Sequence, residues 1–241
     1  MRKESFQGIL LGIVIMCAVF AFITVAWAAL STTLTVNGTA SIAAQSWKIG
    51  FGTSTDTTVL SSNSTVSCTA TTGATCPESA NYPVLTANSF GKTTGESPAT
   101  QSLGSFNAPG GSLTYTWRII NEGTFDAYVN TITGVDNSGN VTLTCTSDDN
   151  GDTSEVLAAF CSKITGTFKI NTAAPGLNVS IAKKSGGTAT YVPVELVLTY
   201  VGNFESNQTL PTGNVTVKLN GDTGISVIYG QDTTSTAAVG G

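Results

Sequence analysis

The chain contains no histidine, and only 10% of its residues are charged. Without imidazole there is no Ser-His-Asp or Cys-His catalytic arrangement and no histidine-containing zinc site. With 10 Lys and Arg against 15 Asp and Glu, no basic patch offers itself to nucleic acid or to anionic lipid. Cysteine is scarce as well. Cys17 lies in an apolar N-terminal run, and Cys68, Cys76, Cys145 and Cys161 follow it. A zinc site would need four convergent thiolates at CxxC-like spacing, which these four do not show. No cofactor, no metal and no catalytic residue is expected, and the protein does not read as an enzyme. The surface left uncharged is covered by Thr, Ser, Asn and Gly, which suit strands and turns better than helices.

Residues 1–28 read as an export leader. Arg2 and Lys3 precede an apolar run from Ile9 to Val25, and Ala26-Trp27-Ala28, followed by Ala29, is the small-residue pattern that signal peptidase cuts. The run of about 17 residues exceeds the roughly 7–15 of most cleaved signals and approaches a spanning helix, so an uncleaved signal anchor is the competing reading. Met16 is too bulky to precede a lipoprotein attachment cysteine at Cys17. Gly8-Ile9-Leu10-Leu11 also resembles a type IV pilin processing site, but Ile13 stands where bacterial pilins carry glutamate, and strand-like sequence begins too soon for a long pilin helix. The expected location is extracellular, at the cell surface, with the membrane met only through the leader.

Beyond the cut, residues 29–45 read as an exposed N-terminal strand. Leu30, Leu34, Val36 and Ile42 share one face, while Ser31, Thr33 and Thr35 point the other way. A strand at a free N-terminus can leave its own sheet and complete a neighbour's, so these four apolar residues form a candidate donor strand.

The exported part, about 213 residues, suits one large all-β domain. It keeps eight basic and fourteen acidic residues, a net charge of −6. In an oxidising compartment its four cysteines read as two disulfides; of three pairings, the sequence-local one joins Cys68 to Cys76 and Cys145 to Cys161. Strands are expected from Ile42 to Phe51 with Trp47 as a core anchor, then from Leu113 to Ile119 and from Phe125 to Ile132 as a hairpin or adjacent pair. Further strands follow at Val141–Cys145, Gly166–Ile170, Leu177–Ala182, Val192–Tyr200 with Pro193 at an edge or strand start, Val215–Leu219 and Ile225–Tyr229. Ser154–Phe160, capped by Thr153 or Ser154, is the one short helix. Residues 52–105 are a Ser/Thr-rich insertion or a set of short edge strands. Residues 46–230 thus form a β-sandwich of jelly-roll or Ig-like type, preceded by a hydrophobic leader helix and followed by a small, polar tail, 231–241, expected to be disordered.

Three motifs have a functional and an ordinary reading. Asp148-Asp149-Asn150-Gly151-Asp152 clusters oxygen ligands as calcium requires, yet Thr153 and Ala159 stand where a calcium loop needs glycine and glutamate, which favours a polar turn. Asn37, Asn63, Asn140, Asn178, Asn207 and Asn214 begin Asn-x-Ser/Thr sequons, candidate glycosylation acceptors that a chain this rich in Ser and Thr also produces by chance. Leu210-Pro211-Thr212-Gly213 resembles a cell-wall sorting signal with one residue missing, and reads better as a turn.

Two stretches resemble the exported family that includes camelysin and the biofilm-matrix protein TasA, together with related archaeal bundling pili. They are Val25-Ala26-Trp27-Ala28-Ala29-Leu30, and Pro109-Gly110-Gly111-Ser112-Leu113 followed by Asn121-Glu122-Gly123-Thr124-Phe125-Asp126-Ala127. The resemblance implies a jelly-roll sandwich and, for fibre-forming members, an N-terminal strand inserted into the next subunit. The functional expectation is therefore a fibre or pilus subunit whose partners are copies of itself or other surface subunits. The rivals are a membrane-anchored adhesin-like module and a type IV pilin-like subunit.

Overall fold

The computed structural model describes residues 45–62, 64–78, 83–91, 103–202, 204, 207–213 and 215–232. The chain divides into two compact units, Met1–Ala43 and Ala44–Gly241, and all of these residues belong to the second. The leader with Ala26, Ala28 and Ala29, the donor residues Leu30, Leu34, Val36 and Ile42, the sequons at Asn37, Asn63 and Asn214, and the tail from residue 233 lie outside the described residues.

The described chain is mostly β. Its strands are β1 (Ile49–Thr53), β2 (Ser67–Ala70), β3 (Ala74–Thr75), β4 (Ser89–Phe90), β5 (Ser105–Phe106), β6 (Ser112–Asn121), β7 (Ala127–Thr133), β8 (Leu143–Ser147), β9 (Ile164–Ile170), β10 (Ser180–Ile181), β11 (Thr190–Tyr200), β12 (Val215–Leu219) and β13 (Ile225–Gly230), with one short helix, α1 (Ser154–Cys161). The first sheet runs β1-β6-β11-β9, and β2 lies along the same edge of β6 as β1, opposite Leu113–Thr116. The second sheet runs β10-β7-β13-β4.

Strict alternation in β6 explains the packing between the two sheets. Leu113, Tyr115, Trp117 and Ile119 are buried on one face, and Thr114, Thr116 and Arg118 on the other face are partly exposed. The Trp117 ring stacks on Phe90 of the second sheet at 4.5 Å between centroids and meets the edge of Phe51 at 5.8 Å. Leu196 and Leu198 of β11 and Phe168 of β9 extend this core, and Ala127, Val129, Ile225 and Val227 close it from the second sheet. Full burial of each large side chain is worth roughly 1.5–3 kcal/mol, so this seam dominates stability.

Ile120 is fully buried although its neighbours on that face are partly open. The loop after β1 covers it: Arg118 donates to the Asp56 carbonyl at 3.0 Å, and Gly52 lets the Ile120 side chain lie directly against its backbone.

Four expectations need correction. β6 and β7 do not pair; they lie in different sheets. Buried Asn121 redirects the chain, donating to the carbonyls of Phe125 and Ile181 and accepting from the Gly123 N–H. Trp47 is 43% exposed, and Phe51 fills the core in its place. The expected strand over Leu177–Ala182 shrinks to Ser180–Ile181, because Asn178 adopts a left-handed backbone with φ of 61°. Pro193 lies inside β11 between two neighbours, but β9 has turned away there: pairing with β9 begins at Val194, and Asn171 donates to the Pro193 carbonyl instead.

Residues 52–105 supply Val66, Leu85, Phe90 and Leu103 to the core, from short strands and single bridges. A separate two-stranded ribbon pairs β12 with β8. Bends at Gly134 and Gly224 separate it from β7 and β13. A Cβ on Gly134 would meet the Gly224 carbonyl at 2.7 Å, so the two turns pack backbone against backbone.

Candidate functional site

β6 runs about 30 Å from Ser112 to Asn121 at ~3.3 Å per residue. The site features divide between its two ends, called here the groove pole and the amino pole.

At the groove pole, Tyr200 ends β11 and is fixed by backbone hydrogen bonds to Gly110 and Gly111. Around it gather rings from separate segments: Phe106 at 6.1 Å, Phe160 at 6.2 Å and Phe204 at 6.2 Å, with Phe160 and Phe204 stacked at 5.8 Å. With Ile164, Leu210, Val215 and Val217 they line an open groove of about 430 Å³. Partial burial pushes the Tyr200 hydroxyl pKa up. Among the described residues, β12 pairs with β8 alone.

The walls of this groove are held in two ways. α1, which carries Phe160, buries none of its residues; its cap is Thr153, whose hydroxyl accepts from the Val156 N–H, and the Cys145–Cys161 disulfide ties it to β8. The opposite wall is the Leu210–Gly213 strap. Asp152 accepts from the Thr212 N–H at 2.8 Å, the Gly213 N–H at 3.1 Å and the Ser147 hydroxyl, while Asp149 accepts from the Thr212 hydroxyl at 2.7 Å. The Ser147 hydroxyl first, then the Thr212 N–H, lower the Asp152 pKa to about 2. Asp149 is lowered chiefly by the Gly151 N–H. The acidic turn therefore works as a latch for the strap, and Leu210-Pro211-Thr212-Gly213 is the segment it holds. Among the described residues, no three His, Cys, Asp or Glu side chains are grouped so as to hold a metal ion.

At the amino pole, Gln45 to Lys48 run beside the end of β6. The Glu122 N–H donates to the Lys48 carbonyl, and Ser46 and Thr124 exchange backbone and hydroxyl hydrogen bonds. The Lys48 ammonium meets Glu122 at 2.6 Å. Lys183 and Lys184 arrive at the same end, their backbone N–H groups bonded to Asp126 and Gly123.

The remaining candidate residues are dispersed. Cys68 and Cys76 form a second disulfide beside β6. Two intrachain disulfides suit an oxidising, extracellular environment. Asn140, Asn178 and Asn207 are exposed, but the Asn140 amide donates to Asp136 within its own turn, a contact that also lowers the Asp136 pKa. The aromatic groove has little signature in the sequence: only Tyr200 ends a visible alternation, and the other rings come from segments that tertiary contacts alone assemble. Comparison with protein-family models, with curated proteins and with solved structures found no match, so any functional reading rests on this chain's own residues and geometry.

Proposed function

We propose that the protein is a structural subunit of an extracellular fibre or pilus, in which the two-sheet body is a β-sandwich of jelly-roll or Ig-like type and residues 29–42 of one copy insert into the next. The observation that carries this reading is polarity. The described chain starts at one pole of the body, whereas the aromatic groove opens at the other, about 30 Å away along β6. A contact between two different patches at opposite ends does not close on itself and generates an open filament. The alternation of Leu30, Leu34, Val36 and Ile42 suits a segment that supplies main-chain hydrogen bonds to an edge and side chains to pockets. The two disulfides and the resemblance to the TasA and camelysin family favour the same location and role.

Deleting residues 29–42 should leave a soluble body with unchanged circular dichroism and no filaments by electron microscopy. Filaments of normal length from the deleted chain contradict the reading. A second reading, a surface binding module held by an uncut leader, is favoured by the length of the apolar run from Ile9 to Val25. N-terminal sequencing separates them: a mature start at Ala29 supports the fibre, and an intact Met1 supports the anchored module.

A further inference from the structure

Resting on the fibre reading above, we propose that the aromatic groove receives a second copy of this chain through its amino pole, with the lysines of that pole set against the acidic rim of the groove. The rim consists of Asp148 and Asp149 after β8, Asp152 in the same turn and Glu155 in the first turn of α1. Lys163 after α1 and Lys218 on β12, paired opposite Thr144 of β8, are the cations beside them among the described residues, so the neighbourhood carries a net charge of −2. The amino pole carries Lys48, Lys183 and Lys184 against Glu122 and Asp126, a net charge of +1. In a chain with 10% charged residues, this separation gives the body an electrostatic direction along the β6 axis.

Strand insertion as proposed would bring the two poles together. A donor strand that ends at Gln45 and enters a neighbour's groove would bring the amino pole of its own body against that groove's rim. Residues 29–44, about 50 Å when extended, are long enough to run the length of the neighbour. Hydrogen bonds to the strap and turn lower the pKa values of Asp149 and Asp152 in this rim. Opposite charge across such a contact mainly speeds and orients encounter, and its range is about 8 Å at physiological salt. Reversed docking, amino pole on amino pole, would set two poles of net charge +1 against each other. The charge pattern thus selects head-to-tail growth before the strand has inserted.

The test is seeded elongation of the full mature chain, followed by light scattering at roughly 20 mM and 300 mM salt. Lys183→Glu with Lys184→Glu, and separately Asp148→Lys with Glu155→Lys, should each slow elongation about tenfold at low salt and flatten its salt dependence. The neutral pair Asp148→Asn with Glu155→Gln should slow it less, and thermal unfolding of each variant checks the fold. The chain carrying both reversals restores complementarity and should recover to within about twofold of wild type. Reversals that leave elongation and its salt dependence unchanged, or a combined variant slower than either pair, overturn the contact while leaving the fibre reading intact. A wild-type chain that never elongates overturns the fibre reading and this contact with it.

Discussion

Replacing Cys145 and Cys161 by serine should detach the groove wall while sparing the core. The two cysteines are 16 positions apart, and the chain-entropy model assigns such a loop about 3 kcal/mol. If that loss were felt by the whole body, a domain of this size would melt about 6–12 °C lower. The structure argues for a smaller shift. α1 has eight residues, none of them buried, and an isolated helix that short is marginal in water. Without the link it should open locally, carrying Phe160 away from Tyr200 and Phe204, while the β6–β11 pairing is untouched. Hydrogen exchange of the Leu157 and Ser162 amides, which donate to Thr153 and Ala158, should accelerate to near the unfolded rate, with β6 amides still protected. Elongation should fail as well, since the groove loses a wall. A variant that melts lower by the full amount while α1 stays as protected as β6 would show that the helix belongs to the cooperative core, and the reasoning would fail.

Two tyrosines with buried hydroxyls should respond in opposite ways. Tyr115→Phe removes a hydroxyl that donates to the Leu103 carbonyl at 2.7 Å and should cost about 1–3 kcal/mol in denaturant unfolding. Tyr229→Phe removes a buried hydroxyl that has no partner among the described residues, whose pKa burial pushes well above 10.0, and should be neutral or stabilising by the same measurement. Gly52→Ala drives a Cβ into Ile120 and should destabilise by about 1–3 kcal/mol with a repacked β1 edge. The strap should be acid-sensitive. The Asp152 pKa is depressed from its ordinary 3.8 to about 2, so its contribution is fully present above 3.8 and lost as pH falls through about 2. The Thr212 and Gly213 amides should lose protection over that window, and Asp152→Asn should abolish the transition.

The long strands were legible because their faces alternate without interruption. Leu113 to Ile119 and Val194 to Leu198 each announce a buried row, and the structure uses both rows as the core. α1 was legible from Thr153 and the amphipathic run after it, and the close cysteine spacing made the sequence-local disulfides the simplest pairing. Long-range hydrogen bonds hid the rest. Asn121 looks like a hairpin turn residue, yet its partners include Ile181, 60 positions away. Asp152 resembles a metal ligand until Thr212, also 60 positions away, is placed against it. Val84-Leu85 is only a brief apolar run and Phe90 a lone ring in a polar stretch, too sparse to signal a strand, yet Leu85 and Phe90 are fully buried. The groove was least legible, because Phe106, Phe160, Tyr200 and Phe204 share no periodicity.

Strand exchange between copies is tested most directly by cysteine trapping in assembled fibres. Leu30→Cys, Leu34→Cys and Val36→Cys, each combined with Val217→Cys in the groove, introduce thiols into a chain whose Cys68, Cys76, Cys145 and Cys161 are already paired. Strand donation predicts that at least one combination gives a ladder of covalent multimers on a non-reducing gel, absent from every single variant. Fibres in which all three combinations stay monomeric, or in which the new bond closes only within one chain, would contradict it.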